Sequence, residues 1–287
     1  MELPRGAAMN NPDELTASSG PQSRGVLPLL QPVSMNNPNR PKNSWPRILL
    51  VHGTMDRSSS FKKVARHLSE FEVISYDRRG YGNSQFRDVD GNPRKVSWQI
   101  HLDDLTDMID KGPTVVFGHS YGGTLALLAA ERHVENLLGV VTFEPPLSWW
   151  QGWSRWSAHS MDPAEEIDIA GARQEARRFM IAQIGEEAWK RLPAATKEQR
   201  ESEGVTMVSE MYSMAHLFPV LDPAQISVPA VVARSENAPE RHVKGSLYLA
   251  ENIPRSRLEI VSNTSHGVHL RRPEKVADLI RSLIAAC

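Results

Sequence analysis

A serine between glycines, in Gly118-His119-Ser120-Tyr121-Gly122-Gly123, is the stretch with the clearest capacity for chemistry. The β-branched and aromatic run Thr114–Phe117 precedes it and predicts a strand, and the strong helix formers of 124–130 predict a helix after it. A Gly-x-Ser-x-Gly motif in that frame is typical of a sharp turn that lifts the serine hydroxyl above a helix N-terminus. Because a hydroxyl becomes nucleophilic once a base removes its proton, the motif predicts nucleophilic catalysis by Ser120.

Other polar residues follow predicted strands in the same way. Apolar runs predict three further strands before residue 146: Arg47–Val51, Glu72–Tyr76 and Leu138–Phe143. The polar residues that stand just beyond the predicted strands are His52, Asp77, Ser120 and Glu144. Strands that alternate with helices predict a mostly parallel central sheet with flanking helices, and ligands bind such sheets at the carboxyl ends of the strands. We therefore expect these four residues to gather at one edge of the sheet.

The alternation of strands and helices stops after Leu147 and resumes near Pro229. Between these points the pattern predicts a helix that starts at Asp162-Pro163, an apolar helical stripe (Ala172, Ala176, Phe179 or Met180, and Ile184) and a helix over Glu201–Leu217. After it, strands are predicted at Pro229–Ala233 and Arg257–Val261, and helices at Arg241–Glu251 and Pro273–Ile284.

These boundaries predict three parts. Residues 1–45, rich in Pro, Asn, Gly and Ser, form a flexible or extended N-terminal segment in which Val26–Val33 could be an edge strand. Residues 46–146 and 227–287 form the α/β core, and 147–226 form a helical cap over the serine.

Composition limits the partners. The chain has 287 residues, a net charge of −1, and 23% charged residues, so nothing indicates binding to nucleic acid or to an anionic membrane. Its single cysteine, Cys287, fits a reducing compartment, and neither a secretory signal nor a run of about 18 apolar residues is recognisable. We therefore expect a cytoplasmic protein that binds a small-molecule substrate and has no nucleic-acid or membrane partner. A homodimer is compatible with the sequence.

Four motifs in this order resemble the α/β-hydrolase superfamily, in its compact form with a helical cap. They are His52-Gly53, Asp77-Arg78-Arg79-Gly80-Tyr81-Gly82-Asn83-Ser84, Gly118–Gly123 and Ser265-His266. The resemblance extends from about residue 46 to the end and implies the α/β-hydrolase fold, with the cap inserted after the sixth canonical strand. The family's first two strands are not recognisable in the sequence.

The resemblance also implies roles. His266 stands where the family places its catalytic histidine, in the order serine then histidine. The backbone N–H groups of Thr54 and Tyr121 correspond to the family's oxyanion hole. No cofactor is implied. His269 makes a His-x-x-His pair with His266, but no carboxylate or cysteine cluster accompanies it in the sequence, so no metal is expected.

The acid that orients the histidine departs from the common pattern. By register, its usual position falls on Ala238, which cannot serve. Two carboxylates could replace it: Glu144, which follows the preceding strand much as the acid of the haloalkane dehalogenases does, and Glu236, which lies on the customary loop about two residues early. We favour Glu144 and keep Glu236 as the alternative.

The substrate is expected to be a small, fairly apolar carboxylic ester or related acyl compound, cleaved through an acyl-enzyme on Ser120. Apolar residues that either line its pocket or pack the cap onto the core are Trp149, Trp150, Trp153 and Met211. Alternatives on the same fold are carbon–carbon bond hydrolysis, cofactor-free oxygenation, and a small-molecule receptor with vestigial hydrolysis, which the missing acid at Ala238 suggests. A serine at the turn argues against dehalogenase and epoxide hydrolase activity, for which the family uses an aspartate there.

Overall fold

The computed structural model describes residues 30–35, 46–150, 168–216 and 219–286. A seven-stranded sheet, in the order β1-β3-β2-β4-β5-β6-β7, forms its centre. The strands are β1 (Val33–Ser34), β2 (Arg47–Val51), β3 (Glu72–Ser75), β4 (Thr114–His119), β5 (Leu137–Phe143), β6 (Ala230–Ser235) and β7 (Ser256–Val261). All neighbouring strands pair in parallel except β1, which is antiparallel to β3. The predicted mostly parallel sheet is therefore confirmed.

The strands predicted from apolar runs are all present, with ends that differ by at most two residues. Every residue of β4 is buried, as expected for a central parallel strand with helices on both of its faces. Val26–Leu29, in the predicted edge strand, lie outside the described residues. At the end of that prediction, Val33 belongs to β1, an edge strand of two residues.

Helices cover both faces of the sheet. They are α1 (Lys62–Arg66), α2 (Trp98–Ile109), α3 (Tyr121–Glu131), α8 (Glu240–Asn252), α9 (Val268–Arg271) and α10 (Pro273–Ile284). Apolar residues of α2, α3 and α8 share one buried cluster with the sheet, and those of α1, α9 and α10 share the other. The sheet is therefore packed between two apolar layers, and polar residues follow the strands at their carboxyl ends.

A helical insertion lies between β5 and β6. Its described helices are α4 (Ile169–Ile184), α5 (Glu186–Arg191), α6 (Ala194–Ser202) and α7 (Gly204–His216). Asp162 lies outside the described residues; α4 begins after Asp168, whose carboxylate accepts hydrogen bonds from the Ala170 and Gly171 N–H groups.

Three positions of the predicted apolar stripe on α4, Ala172, Ala176 and Met180, are buried, but Ile184 at its C-terminal end is 40% exposed, so its inclusion was wrong. The sequence pattern also missed α5, α6 and α9, which are short helices. None of the helices in the described part of the chain is long and apolar enough to cross a membrane.

Candidate active site

The turn between β4 and α3 holds the serine in a strained backbone conformation. Ser120 has φ 52° and ψ −124°, and its N–H donates to the Phe143 carbonyl at the end of β5, 2.9 Å away. A positive φ at a residue other than glycine costs free energy and occurs often at functional sites. The residue is half-buried and directly precedes the first residue of α3. This geometry is the sharp strand–turn–helix expected from the motif.

Close backbone contacts explain the glycines around the serine. A Cβ on Gly122 would lie 2.4 Å from the Val51 carbonyl oxygen, so no larger residue fits there without displacement of β2 or α3. A Cβ on Gly53 would lie 2.9 Å from the Ser120 Cβ. The loop that carries Gly53 and Thr54 therefore passes directly against the serine.

His119, the residue before the serine, holds the His266 backbone. Its Nε2 lies 2.7 Å from the His266 carbonyl oxygen, and the two ring centroids are 4.6 Å apart. Because a carbonyl only accepts, His119 donates from Nε2. The structure thus brings His266, from the far end of the chain, to the immediate neighbour of Ser120. Sequence reasoning missed this role, although His119 lies within the motif.

Glu144 faces the imidazole of His266. Its Oε2 lies 2.6 Å from His266 Nδ1, and its side chain has no exposed surface. The other oxygen, Oε1, accepts hydrogen bonds from the Ser235 N–H at 2.8 Å and from the Ser235 hydroxyl at 2.5 Å. Glu144 directly follows β5, and Ser235 is the last residue of the adjacent strand β6, so the pairing of these two strands aligns the residues. Sequence reasoning did not identify Ser235.

These contacts determine the protonation of the pair. Burial raises the pKa of Glu144, but the hydrogen bond and charge of His266 and the two bonds from Ser235 outweigh it and lower the pKa to about 2. A carboxylate can only accept, so Nδ1 of His266 carries a hydrogen and Nε2 is left as the basic nitrogen in the neutral ring. The arrangement can therefore supply a general base.

Glu236, the alternative acid, points elsewhere. Glu236 is exposed, and its Oε2 accepts a hydrogen bond from the Asn263 N–H at 3.3 Å. The structure therefore brings Glu144, and not Glu236, to His266. Ala238, at the customary position of the acid, has no group that could orient an imidazole.

Comparison with known proteins places this geometry in a family. A family model described as alpha/beta hydrolase family matches residues 48–279. The chain belongs to the alpha/beta hydrolase family. It is 35% identical to an uncharacterized hydrolase, YraK, of Bacillus subtilis over 37% of this chain and 40% of that protein. It is 28% identical to a lipase, LipV, of Mycobacterium tuberculosis over 36% of this chain and 38% of the lipase.

Other similarities are more partial or more distant. The mouse epoxide hydrolase 4 is 29% identical over 35% of this chain and 28% of its own length, so these three matches span two fifths or less of each relative. A lipase-esterase related protein from Clostridium acetobutylicum has a TM-score of 0.63 at 16% identity, covering 89% of this chain and 99% of that one. At that identity, the solved structure supports the fold alone.

Two further motif residues of this alpha/beta hydrolase serve their own loops. His52 Nε2 accepts the Arg78 N–H at 2.8 Å, and burial, with the Arg78 charge, lowers the pKa of His52 to about 3. Asp77 accepts hydrogen bonds from the Ser58 N–H at 2.8 Å and the Asn83 N–H at 2.9 Å. Both side chains therefore hold backbone in place.

The expected pocket residues have separate positions. Trp150 is half-buried and its ring stacks on Tyr248 of α8, with centroids 4.9 Å apart. Trp149 is also half-buried and packs against the same apolar layer, and Met211 is half-buried on α7. Trp153 lies outside the described residues. Trp149 and Trp150 thus pack against the core, and pocket roles for these residues stay predictions.

Two clusters in the described residues bring together side chains of the types that bind divalent metals: Asp56, His119 and His269, and Glu144, His242 and His266. The expectation from the sequence that no carboxylate lies near His269 is wrong, because Asp56 Oδ2 lies 3.0 Å from His269 Nε2. The two atoms lie at hydrogen-bond distance, but their angles fall outside hydrogen-bond geometry. In each cluster one carboxylate already faces one imidazole, and the absence of a metal stays a prediction.

Proposed function

We propose that this chain is a serine hydrolase that cleaves a small, fairly apolar carboxylic ester through an acyl-enzyme on Ser120. The observation that carries the proposal is the 2.6 Å contact between the buried Glu144 carboxylate and His266, beside a serine on a strained turn. A buried carboxylate, an oriented imidazole and a hydroxyl are the three parts of a Ser–His–acid triad.

The chemistry follows from the protonation of His266. Nε2 takes the proton of the Ser120 hydroxyl while Oγ attacks the ester carbonyl, and the charged Glu144 stabilises the imidazolium that forms. The imidazolium then donates its proton to the alkoxide as the carbon–oxygen bond breaks, which leaves the acyl group on Ser120. A water molecule, deprotonated by His266, attacks the acyl-enzyme and releases the acid, and the proton returns to Oγ.

The developing negative charge on the carbonyl oxygen needs donors. We assign this role to the backbone N–H groups of Tyr121 and Thr54. Tyr121 is the first residue of α3, so its N–H lies at the helix N-terminus, and Thr54 follows Gly53, which lies close to Ser120. Removal of one such donor typically lowers kcat by about 10²–10³-fold.

The alternatives have less support. A receptor with vestigial hydrolysis was suggested by the absence of an acid at position 238, but the carboxylate of Glu144 faces His266. Relatives named epoxide hydrolases do not favour that activity here, since the residue at the turn is Ser120. A relative named a lipase supports an ester as the substrate. No described contact favours carbon–carbon hydrolysis or oxygenation.

A fluorophosphonate probe with mass mapping, followed by an ester panel graded by acyl length, tests the proposal. Because the probe needs an activated serine, we expect rapid labelling at Ser120 that is lost in Ser120→Ala and His266→Ala. Short, apolar acyl groups should be hydrolysed fastest. Tight binding of a small molecule without labelling would favour the receptor, and labelling without ester turnover would favour another reaction at the same serine.

A further inference from the structure

A buried carboxylate of the helical insertion reaches into the α/β core. Glu210 lies on α7, and its side chain has no exposed surface. Its two oxygens contact four core groups: Arg78 Nη1 at 2.5 Å, Thr54 Oγ1 at 2.7 Å, the Tyr81 hydroxyl at 2.8 Å and His101 Nε2 at 3.0 Å. Burial raises the pKa of Glu210, but the Arg78 charge and the other partners hold it well below its usual value. Glu210 is therefore charged and paired.

Arg78, the charged partner of Glu210, also binds the loop beside the serine. Its Nε donates to the His52 carbonyl at 2.9 Å and its Nη2 to the Gly53 carbonyl at 3.0 Å. His52 contributes a second bond to the same carbonyl, since its Nδ1 lies 2.7 Å from the Gly53 oxygen. Because His52 Nε2 accepts the Arg78 N–H, Nδ1 is the nitrogen that carries the hydrogen.

The Gly53 carbonyl belongs to the same peptide as the Thr54 N–H. In a planar trans peptide the two groups point in opposite directions, so donors that hold the oxygen also set the direction of the N–H. Donation to the oxygen further polarises the peptide and strengthens its N–H as a donor. Arg78 and His52 thus act on one side of this peptide, and Glu210 holds both Arg78 and the hydroxyl of Thr54.

We propose that Glu210 is a positioning residue for the oxyanion hole, so that the helical insertion completes the catalytic site of the core. The inference rests on the proposed function, in which the Thr54 N–H stabilises the oxyanion. Without the Glu210 charge, Arg78 would lose the carboxylate that it faces in the buried interior, and the Gly53–Thr54 peptide would keep the His52 contact but lose part of the support that directs its N–H.

The chain offers a matched control in Glu203. This second buried carboxylate, just before α7, lies 2.6 Å from Arg57 Nη2 and accepts the Gly82 N–H at 2.9 Å. Arg57 and Gly82 belong to the core, as the partners of Glu210 do, and Arg200 of α6 lies 3.7 Å from the other oxygen of Glu203. None of these contacts involves the His52–Thr54 loop. Loss of the Glu203 charge therefore weakens the attachment of the insertion without acting on the oxyanion peptide.

The test compares Glu210→Gln with Glu203→Gln, after circular dichroism has shown that both are folded. We measure kcat and KM for an activated acetate ester, and the inhibition constant of an alkyl boronic acid, which forms a tetrahedral adduct with the serine. For Glu210→Gln we expect kcat to fall about 10–100-fold, less than for loss of a whole donor, with KM within about threefold and boronate affinity reduced by a similar factor to kcat. For Glu203→Gln we expect kcat within about threefold of wild type.

Equal losses of kcat in the two variants would overturn the inference, as would an unchanged kcat in Glu210→Gln. If Glu210→Gln does not fold, Thr54→Val is the second variant, because it removes the hydroxyl that Glu210 holds and keeps the backbone N–H. We expect it to lower kcat about 3–10-fold with little change in KM, and an unchanged kcat would refute the inference. A wild-type protein that neither reacts with fluorophosphonate nor hydrolyses esters would instead refute the proposed function.

Discussion

Replacement of Glu144 by glutamine is the most direct test of the proposed triad. The Ser235 N–H can only donate, so the amide oxygen of a glutamine must take the place of Oε1, which leaves its NH2 group facing His266 Nδ1. Two donors cannot share a hydrogen bond, so His266 must move its hydrogen to Nε2. The nitrogen that should accept the Ser120 proton would then be occupied.

The structure indicates how large the loss should be. Contacts that lower the pKa of Glu144 from 4.5 to about 2 favour its charged form by about 3 kcal/mol, which corresponds to a factor of roughly 300. The wrong tautomer adds to this loss, and an Asp→Asn change in a serine protease triad lowers kcat by about 10⁴-fold. We therefore expect Glu144→Gln to lower kcat by about 10³–10⁴-fold.

The assay is steady-state hydrolysis of an activated ester, with Glu236→Gln as the matched control. Because the Glu236 side chain contacts the Asn263 backbone and not His266, we expect its replacement to leave kcat within about threefold. Fluorophosphonate labelling should slow in proportion for Glu144→Gln. Turnover of Glu144→Gln within tenfold of wild type, or equal losses in the two variants, would refute the assignment of the acid.

Two further predictions concern stability. Gly122→Ala should lower the free energy of unfolding, measured in urea, by at least about 2 kcal/mol, because the new Cβ would meet the Val51 carbonyl. Gly267→Ala is the control: a Cβ there has open space, so the change should be about 0.5 kcal/mol or less. Similar losses in the two variants would contradict this prediction. The free energy of unfolding should also fall as the pH drops from about 4.5 towards 2, because Glu144 is protonated at a higher pH in the unfolded chain than in the folded one. Urea unfolding across this range should show a weaker dependence of the unfolding free energy on pH for Glu144→Gln than for wild type. An equal dependence in the two proteins would contradict the lowered pKa of Glu144.

Local sequence rules account for much of the fold. Apolar runs and glycines act over a few neighbouring residues, so the strands of the sheet, the turn at Ser120 and the helix after it are all predictable. The same rules failed where the signal is weak: α5 and α6 are short, and the exposure of Ile184 at the end of α4 depends on what the helix packs against.

The contacts that build the candidate site depend on the tertiary structure. The sequence leaves Glu144 and Glu236 as alternatives, because each follows a strand; the side-by-side pairing of β5 and β6 places Ser235 on one oxygen of Glu144, and His266 meets the other. Glu210 is an acidic residue among apolar and uncharged residues of α7, and its four partners come from two separate loops and a helix. These side chains are far apart along the chain and meet only when the sheet and the insertion have packed. Local sequence patterns extend over a few residues, so they do not predict such contacts.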